Sequence, residues 1–107
     1  LFTVAGKHDP DIVFARHDHA FDEVQANFTA LAGLAGESEV QLIDDNAAAI
    51  EEAGVPVESW VAPGTTHTIL TRPLVYTQEV NGVRFVDWLT DLAEGRPVDD
   101  VHCTTCT

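Results

Sequence analysis

Val57-Glu58-Ser59-Trp60-Val61-Ala62 runs directly into Pro63-Gly64-Thr65-Thr66-His67. The first stretch alternates in the manner of a strand, and the second reads as a loop at its C-terminal end. Upstream, Asp11-Ile12-Val13-Phe14-Ala15-Arg16 is short, apolar and β-branched, which predicts a buried strand. His17-Asp18-His19-Ala20 is read as a polar break immediately after it. Two helical patterns separate the strands. Phe21, Val24, Phe28, Leu31 and Leu34 recur at three- and four-residue steps and share one face, with Asp22 and Gln25 at capping-box spacing and Gly33 and Gly36 ending the pattern. A second helix is expected from about Glu37 to Ala53, with Val40, Ile43, Ala47 and Ile50 on one face and Gly54 and Pro56 as its stop.

Strand, helix, helix, strand is an α/β pattern with a parallel sheet. The flanks are read to match. Leu1 to Ala5 is expected as a strand already under way, and Gly6 to Pro10 as a turn. Leu74 to Val80 is strand-like or irregular, Asn81-Gly82 is a strong turn signal, and Val83, Val86, Leu89 and Leu92 mark a last helix ending at Gly95. The tail from Arg96 has no periodicity. Core packing is the expected role of Trp60 and Trp88.

With 107 residues, 45% of them apolar, the chain suffices for one small domain with a core. The apolar opening and the lack of any Met favour a piece of a longer chain. Five basic against eighteen acidic residues give 5 − 18 = −13, which argues against binding nucleic acid or anionic lipid. No apolar stretch approaches the roughly 20 residues needed to span a bilayer.

Catalytic and ligand-binding groups gather at the C-terminal ends of the strands of such sheets. The His17–Asp22 segment and the Pro63–His67 loop are the polar clusters there. An acid after one strand and a histidine after the next is the late chain order of a serine α/β hydrolase, in which the carboxylate orients the imidazole that takes the nucleophile's proton. Asp22 and His67 fit those roles, with Asp18 as the fallback acid. By the plainest reading, Asp22 is a helix cap and His67 an ordinary loop histidine.

Ala20-Phe21-Asp22-Glu23-Val24-Gln25 resembles the [FY]-D-x-x-Q segment around the acid of the pectin acetylesterase/Notum carboxylesterases. Gly64-Thr65-Thr66-His67-Thr68-Ile69-Leu70 resembles the segment around their catalytic histidine. Glu79-Val80-Asn81-Gly82-Val83 with Phe85-Val86-Asp87-Trp88-Leu89 is similar to their closing turn and helix. The resemblance implies that residues 1–107 are the C-terminal portion of a single α/β-hydrolase sheet with flanking helices. It further implies a secreted carboxylic-ester hydrolase, with Asp22 as triad acid, His67 as general base and no cofactor. The expected substrate is a small acyl ester such as an acetylated carbohydrate, because a −13 chain repels anionic polygalacturonate. No Gly-x-Ser-x-Gly occurs in the chain, and Ser38 and Ser59 fall at a helix start and inside a strand. The nucleophile is therefore expected outside these residues, and this chain alone is expected to be inactive.

Two other readings stand beside this one. One is a non-catalytic α/β domain. The other is a metal-dependent hydrolase using His17 and His19, whose H-x-H spacing projects both imidazoles to one side of an extended segment, with Asp18 and Asp22 nearby. Cys103-Thr104-Thr105-Cys106 is expected to form a structural disulfide, within the pair or from either cysteine to an upstream partner. His102 is read as incidental.

Overall fold

The strand at 57–62 forms with those bounds and is the middle of the sheet. The computed structural model describes residues 1–33, 36 and 38–106. Along the chain run α1 (Phe2–His8), β1 (Phe14–His19), α2 (Glu23–Leu31), α3 (Glu39–Glu52), β2 (Val57–Ala62), a 3-10 turn (Pro73–Tyr76), β3 (Glu79–Val80), β4 (Val83–Arg84), α4 (Phe85–Ala93) and β5 (Val101–His102). The sheet has three strands in the order β1-β2-β5, all parallel, so the architecture is α/β. Among the described residues, no helix is long and apolar enough to cross a membrane.

β1 lies three residues later than the apolar run suggested. Its register against β2 pairs Phe14 with Val57 and His19 with Ala62, so His17, Asp18 and His19 belong to the strand and do not break it. These polar residues are tolerated because each has a partner: Asp18 takes Arg16, and both histidines reach Gln78. Ile12 and Val13, which looked like strand core, are exposed.

The opening apolar run is a helix and not a strand. A short apolar run does not reveal its period, and here packing decides. Phe2 meets Phe14 edge to face at 5.3 Å, and Gly6 is buried against Val55 and Phe14. Lys7 and His8 in the last turn complement the helix dipole.

The central core is built on β2. Trp60 is fully buried and packs edge to face on Phe85 at 5.1 Å and on Trp88 at 5.5 Å, so both tryptophans are core residues. Their indole N–H groups are satisfied, by Gln78 and by the Asp99 carbonyl respectively. α4 buries Phe85 and Trp88, with Leu89 and Leu92 half-buried behind them. Its inward face starts at Phe85, because Val83 is already committed to β4 and stays exposed. The segment 74–80, read as strand-like or irregular, is both: Pro73–Tyr76 forms a 3-10 turn, and Glu79–Val80 pairs as β3. Asn81 and Gly82, at φ 53° and 82°, form the hairpin turn to β4 that their sequence called for. The tail contributes β5, a pair of residues too short to show a period, which bonds to β2 opposite Trp60 and Val61. Beyond it a disulfide joins Cys103 to Cys106.

α3 forms as expected, with Val40 and Ile50 buried and Ser38 capping it. α2 forms too, but its apolar face is not covered: Phe21, Val24, Phe28 and Leu31 are all exposed, Leu31 by 84%. Leu34, assigned to that face, and Glu37 lie outside the described residues.

Candidate acid–base site at the ends of two strands

β1 and β2 are adjacent and parallel, so the segments that follow them leave the same edge of the sheet. Their backbones stay zipped beyond the strands. Ala20 N–H donates to the Ala62 carbonyl at 2.8 Å, Phe21 N–H to Gly64 at 2.9 Å and Glu23 N–H to Thr65 at 3.2 Å. This extended ladder carries Asp22 and His67 to each other.

Asp22 is buried to 5% exposure and uses both carboxylate oxygens. Oδ1 caps α2, accepting from Val24 N–H at 2.9 Å and Gln25 N–H at 3.0 Å. Oδ2 lies 2.7 Å from Nδ1 of His67. The cap and the histidine contact are thus simultaneous. The reciprocal half of a capping box is absent, because the Asp22 N–H is taken by the His19 carbonyl at 3.2 Å.

A carboxylate only accepts, so His67 donates from Nδ1 and leaves Nε2 bare. The His67 side chain is 44% exposed. In the neutral ring the buried acid fixes the Nδ1–H tautomer, which leaves Nε2 as the accepting nitrogen of a half-exposed side chain. His102 makes a useful contrast. Its Nε2 lies 3.0 Å from Asp44 and its Nδ1 2.7 Å from the Cys103 carbonyl, so both nitrogens face acceptors and neither is free to act as a base.

Two backbone features hold the His67 loop. Gly64 has φ +132°, and a Cβ there would meet Cδ2 of His19 at 3.3 Å. Thr68, directly after His67, sits at φ 63°. A β-branched residue in the left-handed region is strained by about 1–3 kcal/mol, and such strain clusters at functional sites.

Asp18, the fallback acid, pairs with Arg16 at 2.8 Å instead of with His67. His17 and His19 do lie on one side of β1, ring centroids 4.7 Å apart, but the Nε2 atom of each is engaged by Gln78. Their ligand atoms do not converge with those of Asp18 and Asp22. Among the described residues, His102, Cys103 and Cys106 are the group that comes together, and its sulfurs are bonded to each other. Burial lowers the proton affinity of both His17 and His19 below the ordinary histidine value.

Gln78 escaped the sequence reading; nothing in its own neighbourhood marks it beyond the hairpin that follows. Glu39 escaped it too. Both its carboxylate oxygens are enclosed without a partner among the described residues, and burial, then the Asp22 charge, push its proton affinity up. It lines a shallow cleft beside α2 with Arg16, Gln25 and Asn46. A wider cleft at the other end of β2, around Val57 and Asp99, lies away from this chemistry.

Comparison with protein-family models, with curated proteins and with solved structures finds no match to the chain.

Proposed function

We infer that the chain supplies the acid and general base of a serine carboxylic-ester hydrolase of the pectin acetylesterase/Notum type, on the C-terminal portion of an α/β-hydrolase sheet. The observation that carries this reading is the Asp22–His67 contact at 2.7 Å, formed at the ends of neighbouring parallel strands through Nδ1 of a half-exposed imidazole. The short segments around both residues resemble those of that family. A serine from outside these residues attacks the ester carbonyl, and its proton passes to Nε2 of His67. Asp22 stabilises the resulting imidazolium. The tetrahedral intermediate expels the alcohol, which takes that proton and leaves an acyl-enzyme. Water, deprotonated by His67, then releases the acid and the serine. No cofactor takes part. The substrate class is a small acyl ester, an acetylated carbohydrate being the type favoured, acted on outside the cell.

The non-catalytic reading draws on the cap that Asp22 makes to α2. A fluorophosphonate probe separates the two. The full-length protein is expected to be labelled on a serine and to hydrolyse p-nitrophenyl acetate without inhibition by a chelator. Absence of labelling together with chelator inhibition would favour metal-dependent hydrolysis and overturn this assignment.

A further inference from the structure

Beneath the Asp22–His67 pair lies a polar network that admits one arrangement of protons. The Trp60 indole N–H can only donate, and it meets Gln78 Oε1 at 2.9 Å, which fixes the oxygen end of that amide. His17 Nε2 lies 2.7 Å from the same oxygen and therefore carries its proton there. The Gln78 amide nitrogen can only donate, and it lies 2.9 Å from Nε2 of His19. His19 Nε2 is consequently bare, and its proton is on Nδ1. A second proton on His19 has to go to Nε2, donor against donor. Turning the Gln78 amide gives no relief, because its NH2 would then face the Trp60 N–H, donor against donor.

His19 touches each half of the site above it. Its carbonyl accepts the Asp22 N–H. Its ring lies under Gly64, and its Nδ1 is enclosed without a hydrogen-bond partner among the described residues. The titratable or charged groups around it are His17 and Asp18 on its own strand and Asp22 on the turn that follows. The other elements present uncharged groups: Trp60 from β2, Gln78 from before β3, Gly64 and Thr66 from the loop, and Phe85 of α4 against His17.

We propose that His19 is a positioning residue and that the His17–Gln78–His19–Trp60 network is a proton-sensitive latch. With His19 neutral, the latch holds the segments bearing Asp22 and His67 in register; when His19 takes a proton, the His67 loop is released. Its meaning for activity rests on the acid–base reading above, but the latch itself does not. Burial and neighbouring His17 oppose protonation more than Thr66, Asp22 and Asp18 favour it, so release comes at a pH below the ordinary histidine value.

Imidazole 1H–15N correlation spectra and amide exchange of the chain, followed from pH 8 downward, test this. The expected tautomers at neutral pH are Nε2–H for His17 and Nδ1–H for His19. Protection of the Phe21 and Glu23 amides, which bond to the loop, should fall about tenfold per pH unit below the His19 midpoint. Trp60 and Val61 amides in β2 should keep their protection and so report a folded core. In Gln78→Glu, a carboxylate accepts from every neighbour, and loop protection should persist through the same range. A His19 tautomer protonated on Nε2, or loop protection unmoved as His19 titrates, overturns the latch. Neither result bears on serine labelling, and failure of labelling leaves the latch intact.

Discussion

The Asp22 carboxylate holds His67 with one oxygen and the start of α2 with the other, so helix end and imidazole share a single buried acid. The two roles are separable by substitution. Asp22→Ala removes both and should cost about 1–2 kcal/mol through the lost cap. Asp22→Asn keeps an oxygen for the cap and should leave stability within about 0.5 kcal/mol. It should nonetheless abolish the fixed Nδ1–H tautomer of His67. Denaturant midpoints and imidazole 15N shifts check the pair. Equal destabilisation by both variants would mean that the cap is not what Asp22 contributes.

Gly64 is required by its backbone conformation and by the His19 ring against it. Gly64→Ala forces a side chain into φ +132° and against His19 at 3.3 Å. A loss of about 1–3 kcal/mol is expected, from strain that Ala does not relieve. Gly33→Ala, at φ +83° but with open space around it, should cost less. Urea unfolding of both variants tests this order.

Stability should fall on mild acidification. His17 and His19 bind protons less readily folded than unfolded, burial being the main cause for each. Their contribution is fully present above the unfolded value of about 6.5 and is lost as pH falls from there through the lowered folded values. Unfolding midpoints at pH 7.5, 6.5 and 5.5 should therefore decline in that order. His19→Gln should flatten the decline. A pH dependence identical in the parent and in His19→Gln would contradict this assignment.

The disulfide from Cys103 to Cys106 closes a short loop at the end of β5. Its loss should cost about 2 kcal/mol by loop-closure entropy. Cys103→Ser/Cys106→Ser should therefore show a lower melting temperature, matching that of the reduced parent. Alkylation followed by mass measurement should find no free thiol before reduction.

Which parts of this were legible follows from length and period. β2 and α3 are long enough to show their pattern, and Asn81-Gly82 names its turn chemically. Asp22 and His67 stood out as candidates because each follows a strand-like run and because their flanking segments resemble those of a known family. Leu1–Ala5 misled because a five-residue, mostly apolar run fits a helix or a strand equally, and only Phe14 and Val55 decide. The histidines of β1 looked like a break because their partner, Gln78, lies some sixty residues away. The face of α2 was legible as apolar, but a period does not say what covers it. No local signal could have given β5, whose pairing is set by β2.

The acid–base assignment is tested most directly by the rate of p-nitrophenyl acetate hydrolysis in the full-length protein and its His67→Ala and Asp22→Asn variants. Removal of the base should lower kcat by at least about a thousandfold, and removal of the orienting charge by about a thousand- to ten-thousandfold, with KM little changed. Parental kcat in His67→Ala would contradict the role given to the Asp22–His67 pair.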